Sequence, residues 1–153
     1  SFIWHMLAAY AHTRFLAILI SMIQKQLLVW LSILLYIITF LHLLALYFFW
    51  YWSIWWYDIP MHFFGGLWVG GMAFLVYRYV PAFSRFRGKH RLYAYVVPFI
   101  AVLAVGVLWE VCEFGLDTFI TLEQNDVLDT ISDIGMDTAG ALLAILYAKM
   151  KRI

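Results

Sequence analysis

The sequence holds one cysteine and three prolines in 153 residues, and Asp, Glu, Lys and Arg together make up only 12% of it. A lone Cys112, lying in an apolar stretch between Glu110 and Glu113, excludes an internal disulfide and supports neither redox nor zinc-finger chemistry; it reads as a packing residue. So few charges exclude an ordinary soluble domain, where roughly 25% of residues are charged and 45–50% apolar. Acids are missing from residues 1–57 and again after Asp137, and lysine and arginine are missing from the stretches 51–59 and 117–127. There is no polar stretch long enough for a separate soluble module, no fixed-period repeat and no low-complexity tract. Too few apolar residues precede the small-x-small triplet Ala9-Tyr10-Ala11 for a signal-peptide core.

What is present is apolar: 66% of the residues are hydrophobic and 20% aromatic. A transmembrane helix needs about 20 mostly apolar residues, and residues 27–50, 60–80, 92–116 and 128–150 meet that need. Residues 2–23 are long enough too, but His5, His12 and Arg14 interrupt them, leaving a spanning helix and an interfacial amphipathic one both open. The expected fold is all-α, a polytopic bundle of four core transmembrane helices plus this N-terminal helix. The expected division is residues 1–26 for the N-terminal helix, 27–150 for the membrane domain and 151–153 for a basic tail.

Lysine and arginine in short loops set orientation. Arg85, Arg87, Lys89 and Arg91, with Arg78 before them, and Lys149, Lys151 and Arg152 assign the loop 81–91 and the C-terminus to the cytoplasmic side. The turns 51–59 and 117–127 then lie on the outer face. The aromatic run from Tyr47 to Tyr57 fits a headgroup-depth belt, with an aromatic cleft for a lipid or quinone as the alternative. The basic loop is a topology signal that also suits anionic headgroups; nothing supports nucleic-acid binding.

The acids fall on helix faces. Residues three or four apart share a face, so Asp126, Asp129, Asp133, Asp137 and Gly140 form one stripe, Glu110, Glu113 and Asp117 a second, and Asp58 with His62 a third. At about 1.5 Å per residue, Asp137 lies roughly 13 Å below Leu128 and Glu110 roughly 9 Å below Leu116; His42, about 12 Å below Trp50, is at a depth to meet Asp137. Asp126 and Asp129 also suit a helix N-terminus, where acids complement the macrodipole. Asp133 and Asp137 are too deep for that. A carboxylate at membrane depth costs roughly 2.5–3.5 kcal/mol on insertion scales, and with no base in the outer half, protons or a cation must neutralise the set. Gly66 and Gly70 form a small-xxx-small pair for close helix packing.

The motifs Tyr57-Asp58-Ile59-Pro60-Met61-His62-Phe63-Phe64-Gly65-Gly66, Trp109-Glu110-Val111-Cys112-Glu113 and Asp126-Val127-Leu128-Asp129-Thr130-Ile131-Ser132-Asp133, followed by Asp137 and Gly140, resemble the signature of YjdF-like bacterial inner-membrane proteins. More distantly they are similar to VanZ-like proteins. The resemblance covers residues 27–150 and implies a bacterial inner-membrane protein with the same acid and histidine pattern.

Chemically, Asp58, His62, Glu110, Glu113, Asp129, Asp133 and Asp137 form a candidate metal set, with His62, Glu113 and Asp133 as the catalytic candidates. Mostly oxygen ligands with one imidazole favour magnesium or manganese over zinc. Such an ion would polarise a phosphoryl oxygen of a membrane lipid, with His62 carrying protons. Two other readings stay open. In one the acids relay protons or a cation; in the other the chain is a non-catalytic subunit of a larger membrane complex or a homo-oligomer.

Overall fold

The computed structural model describes residues 2–84, 92–116 and 127–151, and ahead of Lys25 it describes side chains only for Arg14 and Met22. Its four long helices form an all-α bundle, and no strand occurs among the described residues. Neither glycine nor proline occurs before Pro60, so the first part of the chain lacks the two residues that most disfavour a helix. Helix α1 accordingly runs unbroken over Phe2–Tyr47. At about 1.5 Å per residue it reaches roughly 69 Å, more than twice the thickness of a bilayer core. The boundary drawn after residue 26 thus falls inside one helix, whose apolar span is Lys25–Tyr47.

The chain turns at Phe49, which holds a left-handed backbone with φ of 59°, a region that L-residues with a side chain visit reluctantly. A short helix α2, Trp50–Ser53, follows. The Trp52 and Ser53 amides donate to the Phe49 carbonyl, and the Ser53 hydroxyl donates to the same oxygen at 2.9 Å. The aromatic run then divides. Tyr47, Phe48, Phe49, Trp52, Trp55 and Trp56 are exposed, as anchors at headgroup depth would be, while Tyr51 and Tyr57 turn inward and hydrogen-bond to α1.

Helix α3, Asp58–Tyr79, carries Pro60 in its first turn, where a missing N–H leaves no bond unmade. A 3-10 turn at Pro81–Phe83 follows it. Helix α4 is Tyr93–Leu116 and helix α5 is Val127–Lys151. These four long helices include all four candidate spans. The connections at 85–91 and 117–126 lie outside the described residues, and with them Asp117, Glu123, Asp126 and the loop arginines.

Helices α3 and α5 run parallel and make the closest seam in the bundle. A Cβ added at Gly66 would strike the Asp137 backbone, and one at Gly140 would strike the Phe63 carbonyl and Leu67 amide, so each helix needs glycine facing the other. A turn further on, Gly70 abuts Ala141 and Ala144. This is how small residues let membrane helices approach, through backbone contact and dispersion. Helix α1 runs antiparallel to α3, held by the Trp68 Nε1–H donating to the Leu31 carbonyl at 3.0 Å. The burial of Pro98, Val102 and Gly106 gives the inward face of α4.

Most large apolar side chains on the outer faces of the bundle are exposed, which suits a hydrocarbon solvent. Cys112 is among the exposed residues, correcting its reading as packing. Glu110 and Glu113, one turn apart, take the inward side of α4, and Cys112 is rotated away from both.

Candidate metal centre

Three helix starts or ends converge at one end of the bundle: the first turns of α3 and α5 and the last turns of α4. His62, one turn into α3 and 7% exposed, stands at their meeting point. Its Nε2 lies 3.6 Å from Asp58 Oδ2 and 3.9 Å from Asp133 Oδ2. Its Nδ1 faces the other way, 3.6 Å from Asp137 Oδ1. Asp58 comes from the first turn of α3, where an acid also complements the helix dipole. Asp133 and Asp137 are one turn apart on the buried face of α5.

Helix α4 brings Glu110 and Glu113 to the same imidazole. Two sets of ligand atoms, from Asp58, His62 and Asp133 and from His62, Glu110 and Glu113, each lie within 4.8 Å of one another. Around a cation with oxygen ligands at 2.0–2.1 Å, opposite ligands are separated by roughly 4.2 Å. Three ligands allow only one opposite pair, and neighbouring ligands stand roughly 2.9 Å apart, so the 3.6 and 3.9 Å separations at His62 Nε2 would have to close by roughly 0.7–1 Å around an ion.

Satisfaction of the polar atoms is uneven. Thr130 on α5 is a hydrogen-bond partner of the Glu110 carboxyl, yet Glu110 Oε1 is buried with no bond to it. Asp133 is only 2% exposed, and its Oδ1 is likewise buried and accepts no hydrogen bond. A buried carboxylate oxygen without a donor is costly, and each one in a native fold calls for an explanation such as an ion. Five carboxylates thus surround one imidazole, while Lys25, Arg78, Lys149 and Lys151 are all at or beyond the opposite end of the helices.

Of the seven residues expected to hold a metal, the structure brings Asp58, His62, Glu110, Glu113 and Asp133 together. Asp137 is adjacent, but on the opposite nitrogen of the ring. In many metal sites the second nitrogen of a ligating histidine donates to a carboxylate that fixes its tautomer and orientation; Asp137 is placed for that role. Asp129 sits a turn above Asp133, exposed, outside the close set.

Beside His62 a cavity of about 290 Å³ opens between α1, α3 and α4. His42 and Asp137 both line it, as their depths suggested, but His42 Nδ1 is engaged by the Tyr51 hydroxyl at 2.7 Å. Burial, and after it the Asp58 carboxylate, push the Tyr51 phenol above its ordinary range, so it keeps its proton. Tyr51, Trp109, Thr130 and Gly106 were not among the expected site residues. Gly106 carried a legible signal: it precedes Glu110 and Glu113 at steps of four and three, on their face of the helix. Its lack of a side chain admits the Asp137 carboxylate against α4.

A family model described as "Predicted membrane protein (DUF2238)" matches residues 1–152. The chain belongs to that family. No curated protein and no solved structure matches it. Membership of the DUF2238 family agrees with the membrane character read from composition and from the four apolar helices.

Proposed function

We propose that this DUF2238 protein binds a divalent cation between α3, α4 and α5 and acts on the phosphate or headgroup of a membrane lipid as a hydrolase or transferase. The observation that carries the reading is Asp133 Oδ1, a buried carboxylate oxygen with no hydrogen-bond donor, beside a histidine ringed by further acids. His62 through Nε2, Asp58 and Asp133 would hold the ion, with Glu110 completing the oxygen-rich set. Asp137 would hold the ring through Nδ1. Hard oxygen ligands in the majority favour magnesium or manganese over zinc.

Such a cation supplies Lewis acidity toward a phosphoryl oxygen and lowers the pKa of bound water. Glu113, less buried than Asp133, would take a proton from an attacking water or alcohol, and His62 would fix the geometry of the centre. The relay reading finds no continuation: past Asp137 the α3–α5 seam consists of Gly140, Ala141, Ala144 and Ala148. The proposal includes the finer kinship and location, a YjdF-like and distantly VanZ-like protein of a bacterial inner membrane. Its loop 81–91 and C-terminus would be cytoplasmic. The motifs and the lysine and arginine distribution support these two points.

Metal analysis of the purified protein tests the centre. The expected result is bound magnesium or manganese in the native protein, lost in Asp133→Asn and Glu110→Gln variants that elute normally on size exclusion. Equal metal content in all three would overturn it.

A further inference from the structure

The cavity beside His62 has two unlike walls. One is acidic and comes from Asp58 and Asp137, with the imidazole between them; the other is aromatic, from Tyr51 and Trp109, with His42 in edge contact with both rings. Most of the remainder, including Ile38, Val69 and Val105, is apolar and lies on the membrane-spanning parts of α1, α3 and α4. Among the described residues, no lysine or arginine lines it.

Charge decides what can enter. Five carboxyl groups crowd the centre, more acid than one divalent ion on a neutral His62 would neutralise. A head of net negative charge is disfavoured here, most of all without a metal. A positive head is drawn to the acids, and Trp109 and Tyr51, which both line the cavity, would add cation–π attraction that strengthens as water is excluded. A volume of about 290 Å³, at the lower end for a small-ligand site, admits a head and the first few carbons of a chain, with the rest running along the apolar helices.

We infer that this cavity selects a lipid whose head carries an ammonium group, seating the ammonium between the Asp58/Asp137 wall and the Tyr51/Trp109 wall. In combination with the metal proposal, this makes the substrate an aminophospholipid. The binding itself does not depend on the metal.

Native mass spectrometry in a neutral detergent with EDTA separates the two claims. The protein is offered equal amounts of phosphatidylethanolamine, phosphatidylglycerol and diacylglycerol of matched chains. The expected result is retention of phosphatidylethanolamine at least about fivefold over either competitor, in line with a cation–π contact reinforced by charge. The preference should fall to near unity in Trp109→Leu and in Asp58→Asn, and persist in Trp30→Leu, which removes an exposed aromatic near the opposite end of the bundle. Equal retention of phosphatidylethanolamine and diacylglycerol would overturn the inference, because it would reduce the effect to repulsion of anions. A preference unchanged in a Trp109→Leu protein of native helicity would overturn it too. The same preference in a protein that metal analysis without EDTA finds free of magnesium and manganese would sink only the catalytic reading.

Discussion

The seam between α3 and α5 is built in two ways along its length. Toward the basic end it is Gly70, Phe74, Ala141, Ala144 and Ala148, small and apolar groups in ordinary contact with no polar side chain among them. Toward the acidic end the same two helices meet through His62, Asp133 and Asp137, with a buried carboxylate oxygen left without a donor. Dispersion and shape explain the first half without remainder. They do not explain the second, where apolar residues of similar volume would have packed with less electrostatic strain. The difference teaches that the small-residue half sets the distance between the helices, and that the polar half is held at that distance for another purpose.

The most disruptive way to break this comparison is at Gly66, where the two halves join. A Cβ there falls on the Asp137 backbone, which cannot swing aside as a side chain end can. Gly66→Ala should therefore cost about 3 kcal/mol, at the upper end for overpacking, lowering the melting temperature in detergent by roughly 6–12 °C for a chain of this size. At Gly70 an added Cβ would meet Ala141 Cα at 3.1 Å and Ala144 Cβ at 3.3 Å, contacts that a small shift relieves. Gly70→Ala should cost about 1 kcal/mol, the low end of the same range. The reverse ranking would move the closest approach out of the polar half and remove glycine's part in placing Asp137.

Asp133→Asn sharpens the comparison from the other side. If the polar half serves binding, neutralising one crowded carboxylate should leave the melting temperature in EDTA unchanged or raised, because like charges no longer repel. Adding manganese at a hundredfold its dissociation constant stabilises a binding-competent protein by about 2.7 kcal/mol. The native protein should show that rise and the variant should not. A variant that melts well below the native protein in EDTA would instead make Asp133 a packing device.

Gly106→Ala is a gentler probe. The new methyl would press on Asp137 Oδ2, the mobile end of a side chain, so the helices need not part. The carboxylate would rotate and loosen its hold on His62 Nδ1. A loss of about 10–100-fold in metal affinity, the usual effect of removing an orienting carboxylate, with little change in melting temperature, is the expected outcome of a titration.

Much of this was legible in the residues. Spans, the glycine seam and the meeting of three acidic stripes follow from period, length and the cost of a charge in hydrocarbon. The continuity of α1 was harder to read, since His5, His12 and Arg14 signal a polar interruption while the absence of glycine and proline says nothing breaks the helix. The division of labour around His62 was also hidden. Helical spacing places Asp133 and Asp137 on one face, but which ring nitrogen each one meets depends on the crossing of α3 and α5. The aromatic wall was hidden for a similar reason: Tyr51 belongs to a run whose other members mostly point outward, and only the turn at Phe49 aims it back at His42.

Asp129 carries the smallest expected effect and tests the limit of the stripe argument. By spacing alone it belongs with Asp133 and Asp137, one turn further up. Periodicity fixes the face of a helix, however, and not the depth at which a neighbouring helix covers it. In the structure Asp133 is buried against His62 while Asp129 remains exposed in the first turn of α5. There it complements the helix dipole, a contribution of about 0.3–1 kcal/mol at most surface sites. Asp129→Asn should therefore change stability by no more than about 0.5–1 kcal/mol and leave manganese affinity within a factor of about two, less than the roughly 1.4 kcal/mol that a tenfold change requires. A tenfold loss of affinity would show that the first turn of α5 folds inward when the ion is bound, extending the polar half of the seam by one turn.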